Sequence, residues 1–503
     1  MGKPHYHPAT FFLAIFLQLV TAYAEYPVQR PHRTRAVAAE GNYAVFPERP
    51  KQLIKGLGFE IQCDSIASGN TALPEETTSV PHDLAPPERE RFYNEMLKGF
   101  RYCRLAGGLY WRGEDDPNQK QLLPRWPEQL AEIRDMIRAS GVEGVSFEYW
   151  SPSPYWKANR KYTGRDGSEN VLRCWGSKFS NDPDYHGDTN RFLNDFAAAC
   201  GKDLKTLREI GIPISLWGLQ NEPNVDQRYS SCLYTRANYA QTFISVAPAI
   251  RSFDPKIMII ADTANLGYIN AVLKKPEESK YVDALVVHHV GSDSSVVDLL
   301  IKDTNKPKFQ NEYEYLAGPA SPDRCLNTVQ HIMNWFQLGG APTWFWIHAL
   351  KPIGNAEASG YSLGFWKPAN DTNPTDSPQF PSLKPGCWIW NKYNWHAVGS
   401  FIRHMPWDCR ALDVKEDVSD PDLRILAYKK PDGKVTIVLS NSSGNSHLFH
   451  VNTGLLASVS FKGYRYTPDS AGLDFKGREI GTQPGPILSP LLSDRTWEFW
   501  EQQ

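Results

Sequence analysis

Short apolar runs alternate with amphipathic segments between about residues 55 and 350. The runs have the length and the β-branched and aromatic content of buried strands, and the segments between them repeat with the helical period. Eight strands are predicted: Gly58 to Gln62, Tyr102 to Ala106, Val145 to Trp150, Ile214 to Leu219, Ile257 to Ala261, Ala284 to His289, Pro307 to Asn311 and Thr343 to Ile347. The helices between them include Glu88 to Phe100, Pro127 to Ser140, Arg191 to Ile210 and Asp323 to Leu338, the last three followed by Gly141, Gly211 and Gly339. This α/β alternation predicts a (β/α)₈ TIM barrel, since no glycine-rich dinucleotide fingerprint follows any of these strands.

The pattern changes after about residue 405. Short strands such as "KVTIVLSN" and "RTWEFW" are separated by turn signals such as "PDG" and "SSGNS", without helical periodicity. This predicts an all-β sandwich domain over residues 405–503, after a barrel over residues 51–404. The proline-rich stretch Lys367 to Pro385 is interpreted as a loop after the eighth strand, because helical sequence (Trp388 to His404) follows it.

The N-terminus has the pattern of a secretory signal. Lys3 precedes the apolar run Phe11 to Val20, and Ala22-Tyr23-Ala24 forms a small-x-small cleavage site. Residues 1–24 are therefore predicted to be a signal peptide, and the mature chain is expected to be secreted and extracellular. The apolar run is too short to span a bilayer, so no membrane insertion is expected.

Secretion affects how the eight cysteines and two sequons are interpreted. An oxidising route favours a few disulfides, with their pairing left open, and the absence of a CxxC pair argues against redox and metal motifs. Asn370 and Asn441 begin N-glycan acceptor sequons. The cysteines are Cys63, Cys103, Cys174, Cys200, Cys232, Cys325, Cys387 and Cys409.

Charge and composition narrow the class of partner. The formal net charge of −2, with both signs scattered along the chain, gives no nucleic-acid footprint. The 16 Trp and 23 Tyr suit the apolar faces of sugars, although many aromatic residues of a large protein belong to its core. We expect a monomer with a polysaccharide or oligosaccharide substrate and without a cofactor or metal.

Two carboxylates follow predicted barrel strands. Glu222 ends the fourth strand in "ISLWGLQNEPNV", and Glu312 ends the seventh in "KPKFQNEYEYL". The C-terminal ends of the strands form the active face of this barrel. A single glutamate at such a position is more often a loop-end or salt-bridge residue. Two at matching strand ends are what glycoside hydrolysis requires.

At these residues the sequence resembles the glycoside hydrolases of clan A and, within them, family 30. Asn221-Glu222-Pro223 is similar to the acid/base motif and Lys306 to Glu312 to the nucleophile strand. "YWSPSPYWK" (Tyr149 to Lys157) is similar to the family's Trp-Ser-Pro-Pro stretch, and "FWIHALKP" and "KYNWHAVGSFIRHMP" resemble the eighth strand and the segment leading to the side domain. The resemblance implies a (β/α)₈ barrel with a side β-domain that takes in part of residues 25–50.

The resemblance also implies a retaining hydrolase, with Glu222 as acid/base and Glu312 as nucleophile. It implies that Arg104 bonds the nucleophile, that Asn221 contacts the sugar 2-hydroxyl and that His288 ends the sixth strand. Trp150 and Trp346 would line the subsite of the cleaved sugar.

The sequence departs from the family pattern at two places. Val290 stands where the family has a Tyr, which Tyr313 or Tyr315 could replace, and "RLAGGLYW" lacks an acidic residue found in some members.

Alternatives stay open at this stage. Glu314 lies on the same face as Glu312, although Glu312 fits the motif spacing. His288 and His289 look like a metal pair, but adjacent strand residues face opposite ways.

"GYSLG" around Ser362, with His396 and His404 downstream, matches a serine-hydrolase elbow without its strand and helix context. An inactive carbohydrate-binding protein on the same fold is a further alternative. The resemblance to family 30 implies a cell-wall polysaccharide of the β-1,6-galactan, β-1,6-glucan or xylan type as the substrate.

Overall fold

The computed structural model describes residues 39–61, 84–109, 111–165, 169–227, 229–261, 276–290, 306–314, 320–353, 362–367, 369, 383–417, 420–470 and 476–503. The predicted signal peptide, Cys63, Tyr315 and the sequon at Asn370 lie outside these ranges.

A closed barrel of eight parallel strands forms the first part of the described chain. Strand β1 (Ala39–Ile54) precedes it. The barrel strands are β2 (Gly56–Glu60), β3 (Tyr102–Gly107), β4 (Gly144–Tyr149), β5 (Ile214–Gly218), β6 (Met258–Ala261), β7 (Ala284–Val290), β8 (Lys308–Glu314) and β9 (Thr343–Trp346), and β9 pairs with β2 to close the ring. The predicted TIM barrel is confirmed, and each strand overlaps its predicted range.

The helices of this part lie between the strands. They are α1 (Pro86–Arg91), which continues as a π-helix over Phe92–Leu97, α2 (Gln129–Ser140), α3 (Thr189–Ile210), α4 (Arg236–Phe253), α5 (Pro276–Ser279), α6 (Pro322–Gln337) and α7 (Lys392–His404). Gly141 and Gly211 end α2 and α3 in the left-handed conformation, with φ of 74° and 93°. Leu338 caps α6, and Gly340 rather than Gly339 takes a positive φ, of 64°.

A small sheet follows the eighth barrel strand. It consists of β10 (His348–Pro352), β11 (Ser362–Trp366) and β12 (Trp388–Trp390), in that order. The prediction of helix from Trp388 onward is wrong for the first four residues, because Trp388 to Trp390 form a strand paired with β11 and Asn391 precedes the helix. The helix itself begins at Lys392.

The last part of the chain forms one large sandwich-like sheet, which confirms the predicted all-β side domain. Its later strands are β13 (Cys409–Glu416), β14 (Leu423–Lys429), β15 (Val435–Asn441), β16 (His447–Asn452), β17 (Ser460–Tyr466), β18 (Arg478–Pro484), β19 (Ile487–Leu488), β20 (Leu491–Leu492) and β21 (Thr496–Gln502). Strand β1 lies between β13, to which it is antiparallel, and β16, to which it is parallel. The sheet therefore combines segments from both ends of the described chain.

Helices α6 and α7 join the barrel to this sheet. The backbone N–H of Ala427 donates to the side-chain oxygen of Gln337 at 3.2 Å, and the side-chain amide of Gln337 donates to the carbonyl of Leu412 at 3.1 Å. Trp497 Nε1 donates to Ser400 Oγ at 3.0 Å. One continuous apolar core runs from the barrel to side-domain residues such as Trp497.

Two expectations about covalent modification are corrected. The seven cysteines within the described ranges are all free thiols, and six of them are buried, so they pack as small apolar side chains rather than as disulfide partners. Asn441 is buried in β15, and its amide nitrogen donates to the carbonyls of Asn445 and Leu492, so this sequon offers no accessible acceptor for a glycan.

None of the helices that the structure describes is long and apolar enough to cross a bilayer.

Candidate active site

The loop after β5 carries Glu222 and is fastened to the end of β4. The backbone N–H of Asn221 donates to the carbonyl of Tyr149 at 2.7 Å, and Gln220 Nε2 donates to the carbonyl of Trp150 at 2.8 Å. Glu222 has a φ of 44°, in the left-handed region that few residues other than glycine adopt. Strained conformations of this kind concentrate at functional sites, where the surrounding structure holds them.

Arg104 of β3 is a fully buried hub at the mouth of the barrel. Its Nη1 donates to Glu312 at 2.6 Å and also to Glu60, while Nη2 donates to Asn221 Oδ1. Its Nε and Nη2 form a two-point contact with Glu148 at 3.0 and 2.9 Å. The hydrogen bond between Arg104 and Glu312 implied by the family resemblance is present.

Glu222 and Glu312 lie close together, with His288 between them. His288 Nδ1 is 3.3 Å from Glu222 Oε1, and Nε2 is 3.4 Å from Glu312 Oε2. One ligand atom from each of the three side chains lies within 4.8 Å of the others. Oxygen and nitrogen atoms at this spacing could also hold a divalent cation.

The two carboxylates differ in exposure. The Glu222 side chain is 22% exposed and the Glu312 side chain only 6%. Glu312 therefore lies deeper in the barrel, beside Arg104, whereas Glu222 lies nearer to solvent.

Burial and neighbouring charges shape the electrostatics of the cluster. Burial lowers the pKa of His288, but Glu312 and Glu222 outweigh this effect and raise it overall. Burial also lowers the pKa of Arg104, but Glu148, Glu60 and Glu312 raise it well above its usual range. The positively charged Arg104 thus lies against Glu312, and both side chains are buried.

Trp150 belongs to the same group. The guanidinium carbon of Arg104 lies 5.8 Å from the centre of the Trp150 ring, and the Tyr229 ring lies 5.6 Å from it on the loop after β5. Of the expected site residues, Arg104, Trp150, Asn221, Glu222, His288 and Glu312 are thus brought together.

Two expected site residues lie elsewhere. Tyr313 alternates with Glu312 along β8, and its ring packs 4.1 Å from His331 of α6, with its hydroxyl 3.4 Å from Thr328. Trp344 donates to His331 at 3.1 Å, and Trp346, two residues further along β9, shares that helix-facing side. Tyr313 and Trp346 therefore pack between the barrel and α6, which corrects the expectations that Trp346 lines the subsite and that Tyr313 replaces the family's Tyr.

Sequence reasoning missed Glu60, Glu148 and Asn311. Asn311 Nδ2 donates to Glu148 Oε1 at 2.6 Å, so it fixes Glu148 against Arg104. Glu60 and Glu148 interrupt otherwise apolar strands in "GLGFEIQ" and "VSFEYW". A carboxylate at the end of an apolar strand is the signal that identified Glu222, and it was present for these two as well.

The described part of the structure does not include four of the side chains that the sequence pointed to. They are those of His289, Val290, Glu314 and Tyr315. Ser362 is buried and begins strand β11, rather than occupying a turn between a strand and a helix, so it lacks the context of a serine-hydrolase elbow.

The sequence matches no family model. Its fold resembles solved glycoside hydrolases over nearly the whole chain. The catalytic domain of family 30 xylanase C from Talaromyces cellulolyticus is 17% identical with a TM-score of 0.64, covering 92% of this chain and 100% of that one. The family 30 subfamily 8 xylanase from Clostridium acetobutylicum is 15% identical with a TM-score of 0.58, covering 92% and 99%.

A third neighbour, described as an endo-β1,6-glucanase, is 12% identical with a TM-score of 0.62 and covers 93% of this chain and 95% of its own. At such identities the likeness concerns the fold. The chain therefore has the fold of the family 30 glycoside hydrolases, the family that its sequence motifs resemble.

Proposed function

We propose that the protein is a secreted, retaining glycoside hydrolase that cleaves β-glycosidic bonds in a cell-wall polysaccharide by double displacement. The proposal rests on one observation above all: oxygen atoms of Glu222 and Glu312 lie within 4.8 Å of each other. Retaining enzymes place their carboxyl groups about 5–5.5 Å apart, whereas inverting enzymes leave roughly 6.5–9.5 Å for a water molecule.

The surroundings of the two carboxylates support different roles. Glu312 accepts a hydrogen bond from Arg104 at 2.6 Å, which holds its carboxyl group in place to attack the anomeric carbon. No arginine among the described residues pairs with Glu222, which lies beside His288, so Glu222 is the group suited to hold and donate a proton.

In the first step, Glu222 protonates the leaving oxygen while a Glu312 oxygen forms a bond to the anomeric carbon and the glycosidic bond breaks. In the second, Glu222 takes a proton from water, whose oxygen displaces Glu312. His288 contacts both carboxylates, so it can hold their relative positions through both steps.

The proposed substrate class follows from the site and from the neighbours. Trp150 and Tyr229 place aromatic rings beside the cluster, which suits the apolar face of a sugar. The fold neighbours are described as xylanases and an endo-β1,6-glucanase, so xylan and β-1,6-glucan are the first substrates to test, with β-1,6-galactan as the third.

The test is a screen of the purified protein against these three polysaccharides with product sizing. Proton NMR then identifies the anomer of the first product. Hydrolysis with a β-configured first product is expected. An α-configured first product would contradict the retaining mechanism, and binding without hydrolysis would point instead to an inactive carbohydrate-binding protein.

A further inference from the structure

Glu60 is the least satisfied of the three buried carboxylates around Arg104. Its Oε2 accepts from Arg104, but its Oε1 is buried and has no hydrogen-bond partner among the described residues. Glu148 accepts two bonds from Arg104 and one from Asn311 at 2.6 Å. Glu312 accepts one bond from Arg104 and has His288 Nε2 at 3.4 Å.

The charges of this cluster do not balance. One guanidinium faces three carboxylates, and all four side chains are at most 6% exposed, so full ionisation would leave an excess of negative charge out of water even with a protonated His288 beside Glu312. An unpaired buried charge is costly, and such groups bind a proton instead. Protonation costs the least free energy at the carboxyl group that accepts the fewest hydrogen bonds.

We propose that Glu60 holds this proton, and that as a neutral acid it is a positioning residue that leaves the charge of Arg104 to Glu148 and Glu312. Glu60 acts through Arg104. Its catalytic consequence rests on the proposed function, whereas its protonation can be tested independently of activity.

The charged and titratable groups near Glu60 support this assignment. They are Arg104 and Cys103 of β3, Glu148 of β4 and Glu312 of β8. Burial, together with Glu312 and Glu148, raises the pKa of Glu60 to about 8 against the opposing effect of Arg104. Burial also raises the pKa of Cys103, so that this thiol stays neutral and adds no charge.

Infrared difference spectroscopy on the full chain tests the protonation directly. Spectra of the wild type and of Glu60→Gln are compared at about pH 6, below the pKa of about 8. The substitution is expected to remove the carbonyl band of a protonated carboxylic acid, and Glu148→Gln, the matched control on the same arginine, is expected to retain it. Loss of a carboxylate band in Glu60→Gln would overturn the proposal. Failure of Glu60→Gln to fold would also overturn it, because a neutral isostere should be tolerated where the native group is neutral.

Kinetic measurements on the polysaccharide that the wild type cleaves are the second test of the proposal. Glu60→Gln is expected to lose less kcat than Glu148→Gln, which loses roughly 10- to 100-fold because it removes a charged partner of Arg104. Equal losses in the two variants would overturn the proposal. If the wild type cleaves no glycan, the proposed function fails, and the infrared comparison still decides the state of Glu60.

Discussion

At the residue scale, Glu222 and Glu312 have different surroundings although both lie at the barrel mouth. Glu312 is almost fully buried against Arg104, whereas the Glu222 side chain is 22% exposed and has His288 beside it. A charge-assisted hydrogen bond favours an ionised carboxylate. These surroundings fit the proposed roles of Glu312 as the nucleophile and Glu222 as the acid/base.

The assignment of the nucleophile leads to a chemical rescue prediction. Glu312→Gly is expected to abolish turnover, and azide is expected to restore it with an α-configured glycosyl azide, because the small anion can occupy the space left by the carboxylate. Glu222→Gln is expected to lower kcat by about 10²- to 10⁴-fold, the usual contribution of an acid/base residue. Glu314→Gly is the control. Rescue of that variant instead would move the nucleophile to Glu314.

Asp203 gives a prediction about pH and stability. It is buried, Tyr149 donates to it at 2.8 Å and the backbone N–H of Leu122 at 3.1 Å, and burial raises its pKa to about 7. The unfolded value is about 4. The folded state therefore favours the neutral acid, and the stability that Asp203 contributes is lost as pH rises from about 4 through 7.

Asp203→Asn is accordingly expected to raise the melting temperature relative to the wild type at about pH 8, with little difference near pH 4. Thermal unfolding across this range measures the effect. Glu209→Gln, an exposed site on the same helix, should show no such trend. A constant difference between Asp203→Asn and wild type at every pH would contradict the prediction.

At the element scale, the site depends on how the loops after the barrel strands hold one another. Lys157 Nζ donates to the carbonyls of Tyr162 and Ser231 at 2.9 and 2.6 Å, which ties the loop after β4 to the loop after β5. Asn170 Nδ2 adds a bond to Asp226 at 2.6 Å. Loops joined in this way keep Trp150 and Glu222 in a fixed relation.

Gly108 provides the test at this scale. It follows β3 with a φ of 78°, and a Cβ there would lie 1.8 Å from the carbonyl oxygen of Ser151. Gly108→Ala is expected to destabilise the protein by at least about 1–3 kcal/mol and to lower activity, because the chain after β4 must move. Gly201, inside α3 with nothing within 4 Å of its Cβ position, is the control.

Denaturant unfolding measures both variants. Gly201→Ala is expected to stabilise by up to about 1 kcal/mol, as alanine does in a helix interior. Equal stability of Gly108→Ala and wild type would show that the loop tolerates the shift.

At the scale of the whole molecule, part of the side sheet packs into the apolar core of the barrel, and β1 lies inside that sheet although it precedes the barrel in sequence. Tyr428 donates its hydroxyl hydrogen to the carbonyl of His404, and the His404 ring stacks on Phe499 at 4.5 Å. The sheet is therefore part of the barrel's packing.

Truncation near Arg410 is expected to give insoluble protein, because it removes most of β13 and all of β14 to β21 and leaves α6, α7 and β1 with exposed apolar faces. Expression of the truncated and full-length chains under the same conditions, with the soluble fraction measured, checks this. A soluble and fully active barrel from residues up to 410 would contradict it.

The sequence alone determined the eight strands, because a strand buried on both faces must be apolar over its length and bounded by polar residues. It also located Glu222 and Glu312, since a carboxylate that ends such a strand stands out locally. Glu60 and Glu148 were equally visible as carboxylates within apolar strands. The role of each depends on which charged side chain it contacts, and the sequence does not show that contact.

Only the tertiary structure decided the rest. The closure of the barrel brings Arg104 to three carboxylates on three other strands, and these contacts join residues up to 208 positions apart. The side of β9 on which Trp346 lies depends on register and on the packing of α6, so a motif alone misplaced it. The free cysteines and the buried Asn441 depend likewise on which face of each element meets the core, because burial is a property of the packed molecule rather than of any local pattern.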